Sequence, residues 1–244
     1  MVRSKTKSLT LKVILTLVLG FIFIDQAPGQ TTNTWQVMAP VQLQQEEAIK
    51  IVLNDLKTYG NEVGITFQVV DDQGAINGPT ILVGDPTVNQ ATAELLNNDQ
   101  ISLKGVDDEQ GYEIITQQSD EGKIMIVAGS TVIGNVYGLY WLWDRMRVYK
   151  KIPDINTIRI PALKTRMSAA WGRRPSGGGS KETMQQALRQ NINWVSGPAI
   201  IDLVPWDSEP EKTINAENRK KTNDLIDYAH SIHMKYFCFV LRHP

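Results

Sequence analysis

Helical and strand periodicities alternate along most of this 244-residue chain and indicate two successive pieces. In the first piece, apolar side chains recur at helical spacing in some segments, and short runs rich in β-branched residues lie between them. This order predicts an α+β domain over residues 31–163, in which helices pack on a mixed sheet. The predicted elements are a helix at 44–59, strands at 65–70 and 80–83, a helix at 87–96, a hairpin of strands 112–117 and 123–128, and a helix at 131–146.

The second strand of the predicted hairpin is apolar on both faces. Ile124 and Ile126 fall on one side, and Met125 and Val127 fall on the other. Since strands with two apolar faces are typical of sheets covered on both sides, we expect packed layers above and below this strand.

Two glycines lie four residues apart in the helix that follows. Gly134 and Gly138 share a face, and we expect them to allow a close approach of helix to sheet. The alternative is a phosphate-binding loop, but the stretch 129–134 lacks the lysine of a P-loop and the three-glycine spacing of a dinucleotide site. The aromatic residues of this helix are expected in the core or at a domain interface, with a sugar-stacking platform as the alternative. They are Tyr137, Tyr140, Trp141 and Trp143.

The second piece, residues 164–244, has the order β-loop-α-β-loop-α-β. This order predicts either the start of a (β/α)₈ barrel or a doubly wound sheet. Long loops after the strands and short turns before them favour the barrel. A whole barrel needs about 250 residues, so we expect an incomplete TIM barrel here. The predicted elements are strand 166–171, a glycine-rich loop at 172–180, helix 181–190, strand 192–196, helix 215–234 and strand 235–241.

The first residues have the pattern of a targeting sequence. Four basic side chains lie within residues 1–12, residues 13–24 are almost wholly apolar, and small residues follow at 27–29. The apolar run is shorter than the roughly 20 residues that span a bilayer. We therefore expect a signal peptide at 1–29 and export to the periplasm or the extracellular space of a bacterium, without membrane association after cleavage. An uncleaved anchor is the alternative.

The composition of the chain argues against several classes of function. The formal net charge is −1, and no basic stripe with interleaved aromatic residues occurs, so we expect no nucleic-acid partner. The single cysteine, Cys238, lies in an apolar strand and is expected to be a core residue. His230 and His233 are too few to form a metal site, and we expect neither metal nor cofactor.

Four stretches of the first piece resemble, in order, the non-catalytic N-terminal domain of bacterial β-hexosaminidases and α-glucuronidases. The resemblance covers residues 36–146, and the segment 223–235 resembles the second helix and third strand of the barrel in the same hydrolases. The four stretches are Ile-Leu-Val-Gly at 81–84, Gly-Tyr-Glu-Ile at 111–114, Lys-Ile-Met-Ile-Val-Ala-Gly at 123–129 and Gly-Asn-Val-Tyr-Gly-Leu-Tyr at 134–140.

The resemblance implies the N-terminal part of an exported glycoside hydrolase that acts on amino-sugar or uronic-acid polysaccharides. It also implies that the catalytic acids lie on later barrel strands, so no catalytic residue is assigned here and the chain itself is expected to be inactive. An arginine after the first barrel strand binds sugar hydroxyls in β-hexosaminidases, which makes Arg173 or Arg174 a candidate substrate-binding residue.

Two further substrate-binding candidates come from position and residue type. Trp206 offers a stacking face or packs in the core, and His243 follows the third barrel strand. The loop acids Asp202, Asp207, Glu209 and Glu211 are expected to be solvated charges. The alternative function is a non-catalytic carbohydrate-binding or scaffold module.

Overall fold

The computed structural model describes residues 33–167, 178–197 and 209–237. All of them belong to the compact unit that follows Thr32. The predicted signal peptide therefore lies outside the described residues.

The elements of the first piece follow the predicted order, with two additional strands and one additional short helix. They are β1 (Asn33–Met38), α1 (Val41–Gln45), α2 (Glu47–Glu62), β2 (Ile65–Val70), β3 (Thr80–Val83), α3 (Gln90–Asn97), β4 (Tyr112–Ser119), β5 (Gly122–Ala128), α4 (Val132–Tyr149) and β6 (Asn156–Arg159).

Six strands form one mixed sheet in the order β2-β1-β3-β5-β4-β6. Strands β2, β1, β3 and β5 are parallel, and β4 runs antiparallel to both β5 and β6. The prediction of a mixed sheet with helices is confirmed at this level. Because β4 and β5 are joined by a tight hairpin, the antiparallel pair lies beside the parallel strands.

The two apolar faces of β5 belong to two different cores, as predicted. Met125 and Val127 lie in the larger core with helices α2 and α4, and both are fully buried. Ile124 and Ile126 point to the other face, where a smaller core forms with helix α3. Side chains alternate across a strand, so one seven-residue strand supplies both layers.

Helix α4 lies directly on the sheet. Thr131 caps it by accepting a hydrogen bond from the Gly134 amide at 3.1 Å. A Cβ atom on Gly138 would lie only 2.5 Å from Val127 Cγ1, so the glycine permits the close approach that the sequence predicts. Tyr137 and Tyr140 are each 1% exposed, which places them in the core, whereas Trp141 and Trp143 are partly buried.

Strands β1 and β6 were not predicted from the sequence. β1 carries polar residues at positions 33, 34 and 36, so its alternation is weak, yet it lies between β2 and β3. Its Gln36 side chain accepts hydrogen bonds from Asn77 N and Thr80 Oγ1 at 3.2 and 3.3 Å. β6 is a four-residue strand next to β4, and three of its side chains are exposed. Both strands are defined by their neighbours rather than by their own patterns.

The second piece begins with an isolated parallel bridge between Met167 and Trp194. Its elements are α5 (Lys181–Arg189), β7 (Trp194–Ser196), α6 (Glu209–Ser231) and β8 (Lys235–Phe237), and β7 and β8 pair in parallel. Helix α6 begins earlier than the predicted residue 215. Most of the predicted strands 166–171 and 235–241, including Cys238, lies outside the described residues.

Candidate functional site

The expected substrate-binding residues all follow the carboxyl ends of parallel strands in the sequence. Met167, Trp194 and Lys235 are neighbours in register, so the chain runs the same way through all three strand positions. The segments that come next, 168–177, 198–208 and 238–244, lie outside the described residues. Arg173 and Arg174 belong to the first of these segments, Trp206 to the second and His243 to the third. Their proposed roles therefore stay predictions.

The described residues at this edge are held together by hydrogen bonds to the backbone. The Gly178 amide donates to the Ser196 carbonyl at 3.0 Å, and the Tyr236 hydroxyl donates to the Gly178 carbonyl at 3.1 Å. A Cβ atom on Gly197 would lie 1.5 Å from the Tyr236 hydroxyl oxygen, so only glycine fits there. The end of the glycine-rich loop is thereby fixed against strands β7 and β8.

Helix α5 starts immediately after this loop with a reciprocal cap. Ser180 Oγ accepts from the Thr183 amide at 3.3 Å, and Thr183 Oγ1 accepts from the Ser180 amide at 3.1 Å. Further along, Gln185 donates to the Tyr228 hydroxyl at 2.7 Å and joins α5 to α6. Burial raises the pKa of Tyr228, and the hydrogen bond from Gln185 lowers it in part. These contacts fix the helix that follows the loop.

The amino ends of the same strands are joined to the first piece by a polar network centred on Asn193, which is 9% exposed. Its Oδ1 accepts from the Arg166 amide at 2.8 Å. Its Nδ2 donates to the Lys164 carbonyl at 2.6 Å and to Gln110 Oε1 at 3.2 Å. Lys164 also pairs with Asp108. A buried amide that satisfies both its donor and acceptor groups fixes the relative position of the segments it bridges.

A charged pair missed by the sequence analysis joins α2 to α5. Arg189 Nε and Nη2 donate to the Asp55 carboxylate at 2.7 and 2.8 Å, and the Tyr140 hydroxyl donates to it at 3.0 Å. The hydrogen bond to Asp55 raises the pKa of Arg189. Burial raises the pKa of Tyr140, and the negative charge of Asp55 raises it further. The available signal was that Asp55 lies four residues from Ile51 and from Tyr59, on the apolar face of α2.

The described ranges contain neither a cluster of three or more His, Cys, Asp or Glu side chains able to hold a metal ion nor a helix long and apolar enough to cross a membrane. The most buried acidic residue among them, Glu113, is 2% exposed. It accepts hydrogen bonds from the backbone amides of Lys104 and Gly105 at 2.9 and 3.1 Å. This carboxylate therefore orders the chain before β4.

Comparison with known proteins shows similarity of fold to glycoside hydrolases. A GH138 enzyme targeting pectin rhamnogalacturonan II matches 82% of this chain with a TM-score of 0.51 at 14% sequence identity. The GH84 structure CpGH84D matches 85% of it with a TM-score of 0.51 at 12% identity. The matched regions cover 30% and 34% of those two proteins, so this chain spans about a third of their length.

Comparison of sequences shows weaker similarity to known proteins. No protein-family model matches this chain. A cytochrome c biogenesis protein CcsA of Trichormus variabilis is 28% identical over 153 residues, which are 61% of this chain and 40% of that protein. The described residues thus form a mixed α/β structure that resembles parts of glycoside hydrolases.

Proposed function

We propose that this chain is the N-terminal part of an exported glycoside hydrolase that breaks down polysaccharide. The observation that carries the proposal is the similarity of fold to two glycoside hydrolases over more than 80% of this chain. The chain has a six-stranded mixed sheet, followed by a bridge at Met167 and the parallel strands β7 and β8. At 12–14% identity the likeness concerns the fold, so substrate and mechanism are part of the proposal.

The second piece is the opening of a (β/α)₈ barrel in this proposal. Parallel pairing of β7 and β8 through helix α6 supports it, as does the bridge from Met167 to β7. Active sites of such barrels lie in the loops at the carboxyl ends of the strands. The sugar-binding roles proposed for Arg173, Arg174, Trp206 and His243 agree with that position in the chain order.

The first piece is non-catalytic in this proposal. Hydrolysis of a glycosidic bond needs two suitably spaced carboxyl groups, or one carboxyl with help from the substrate. Three acids of low exposure in the first piece have structural partners: Asp55 pairs with Arg189, Asp108 pairs with Lys164, and Glu113 accepts from backbone amides. Such engaged carboxylates serve structure and leave the chemistry to the barrel.

The first experiment follows the reading frame beyond codon 244 and compares the protein it encodes with the 244-residue chain. Both are purified and incubated with amino-sugar and uronic-acid polysaccharides, and released reducing ends are measured. We expect release by the longer protein and none by the 244-residue chain. Substitution of acids at later strand ends should abolish the release. Binding of polysaccharide without release by the longer protein would instead favour a carbohydrate-binding module.

Export is tested separately. The tagged protein is produced in a bacterial host, and the N-terminus of the periplasmic form is sequenced. We expect cleavage near residues 27–29, since the small residues there follow the apolar segment. Recovery of the intact N-terminus in the membrane fraction would contradict the signal peptide and support an anchor.

A further inference from the structure

A small cleft lies where the sheet of the first piece meets the start of the second. Its volume is about 270 Å³. Strand β4, helix α4 and the segment after β6 form one side, and the residues just before the Met167 bridge and β7 form the other. The residues that matter for its chemistry are Tyr112, Tyr137, Trp141, Arg159, Arg166 and Asn191.

Three side chains of this cleft carry a buried polar atom that lacks a hydrogen-bond partner among the described residues. The atoms are Arg166 Nη2, the Tyr137 hydroxyl and Asn191 Oδ1. Tyr137 is only 1% exposed, so its hydroxyl cannot turn to bulk solvent. Buried polar groups in folded proteins are nearly always paired. Three unpaired atoms lie around one cleft, and they include hydrogen-bond donors as well as an acceptor. They indicate a ligand with complementary groups.

The unpaired donor of Arg166 is held in a fixed position. Its Nε donates to the Asn191 carbonyl at 2.5 Å and its Nη1 donates to the Leu163 carbonyl at 2.6 Å. Nη2 is the nitrogen without a hydrogen-bond partner among the described residues. The guanidinium lies 5.0 Å from the centroid of the Tyr137 ring. Burial raises the pKa of the Tyr137 hydroxyl, and the guanidinium lowers it in part through its charge and a close contact with that hydroxyl. A guanidinium fixed in this way can bind an anion without further loss of side-chain freedom.

The cleft carries positive charge and aromatic surface together. The Arg159 guanidinium adds a second cation, 5.6 Å from the centroid of the Trp141 ring. Burial raises the pKa of Tyr137, and among the charges around it the positive Arg166 acts more strongly than the negative Glu109. An anionic group is therefore favoured beside the two guanidinium groups, and the aromatic rings offer a flat apolar face to the body of the ligand.

We propose that this cleft binds a carboxylate-bearing monosaccharide, with the carboxylate on Arg166 and Arg159, a ring hydroxyl on the Asn191 amide oxygen and the sugar face against Trp141. The volume of 270 Å³ lies just below the range of about 300–1,000 Å³ that is usual for ligand pockets, so the cleft has room for one sugar ring and not for an oligosaccharide. The binding of an anion rests on the described residues, whereas the choice of a sugar rests on the proposed function.

The test uses the 244-residue protein and isothermal titration calorimetry. The probes are methyl galacturonoside and methyl glucuronoside, with the matching neutral methyl glycosides and acetate as comparisons. We expect saturable binding of at least one uronide and affinity weaker by about tenfold or more for the neutral sugars and for acetate. Equal binding of neutral and acidic sugars, or no saturable binding of either uronide, would overturn the proposal.

Two variants connect binding to this cleft. Arg159→Gln should weaken uronide binding about tenfold, because it removes one of the two cations. Arg147→Gln is the matched control, since Arg147 also lies over a tryptophan of helix α4, Trp143, at 4.5 Å, but does not line the cleft. We expect this control to bind as the parent does. Equal weakening by both substitutions would reduce the effect to net charge and refute the site.

Tyr137→Phe separates binding from stability. The variant keeps the buried ring and removes only a hydroxyl that has no partner in the described structure. We expect its resistance to urea in the absence of ligand to be equal to that of the parent or greater. Its affinity for the uronide should fall several-fold. Unchanged affinity would contradict the argument that the unpaired atoms of this cleft bind the ligand, and would count against the proposal.

Discussion

Replacing Gly138 with alanine tests whether helix α4 lies on the sheet through the contact seen here. The added Cβ would lie 2.5 Å from Val127 Cγ1 and 3.3 Å from Tyr112 Cγ. Carbon atoms in contact are ordinarily separated by about 3.5–4.0 Å. Either the helix or the sheet must therefore move by about 1 Å. Val127 cannot easily turn away, because it is fully buried, β-branched and part of a strand with neighbours on both sides.

Two terms of opposite sign decide the magnitude. Alanine is favoured over glycine in a helix by about 1 kcal/mol. Overpacking a buried contact typically costs about 1–3 kcal/mol, and the stiffness of Val127 places this site at the upper end. We therefore expect Gly138→Ala to lower the free energy of unfolding by about 2 kcal/mol.

Urea unfolding followed by circular dichroism measures this loss, and two further variants make the result specific. Gly74→Ala is the control, because its Cβ would meet nothing closer than 3.4 Å, and we expect a change within about 0.5 kcal/mol. In a Val127→Ala background the clashing methyl group is absent, so the cost of Gly138→Ala should fall by at least about 1 kcal/mol. Equal cost in both backgrounds, or a stabilised single variant, would refute the close-packing argument.

Two other carboxylates give separate predictions. Asp55→Asn should lower the free energy of unfolding in urea by about 1–2 kcal/mol, because it breaks the bidentate pair with Arg189. The side chain of Asp55 is 12% exposed and that of Arg189 is 31% exposed. Asp224→Asn, in an exposed pair with Lys220, is the control and should change little; equal losses would contradict the burial argument. Burial raises the pKa of Asp72 above its ordinary value of 3.8, so the unfolded chain releases that proton first. Stability should then fall as pH rises through this interval and remain lower above it, and Asp72→Asn should remove that fall. Unfolding free energies from about pH 3 to pH 7 check this, and parallel curves for the parent and the variant would contradict it.

The elements that the sequence predicted well are those whose own side chains define them. Strands β2 and β3 have the predicted bounds, and the alternation of β5 identified both cores, because burial on a face determines which residues are apolar. β6 gave no such signal, because its strand conformation depends on its pairing with β4. The predicted helix end at residue 59 was wrong, because α2 continues to Glu62 and Gly60 gives room to Phe67.

The contacts between the two pieces could not be predicted from the sequence, for a different reason. Asp55 and Arg189 are separated by more than a hundred residues, and the local sequence around either residue does not identify the other as its partner. The same holds for the cleft around Arg166, whose unpaired atoms are visible only once strand β4 and the segment before β7 have been placed side by side. Periodicity predicts which face is buried, whereas pairing of polar groups depends on the tertiary arrangement.

The continuity of the larger core gives the first piece a physical role in the proposed enzyme. Apolar residues of α5, α6 and the turns beside them lie in the same cluster as apolar residues of α2 and α4, so the core of the first piece continues into the second. Helices on the outside of a barrel normally present a polar face to solvent. Helices α5 and α6 keep such an exposed polar face, and the Asp55–Arg189 pair and the Asn193 network join the second piece to the first. In the proposed enzyme, a non-catalytic first piece thus holds the first strands of the proposed barrel in register, and with them the strand ends that lead into the proposed sugar-binding loops.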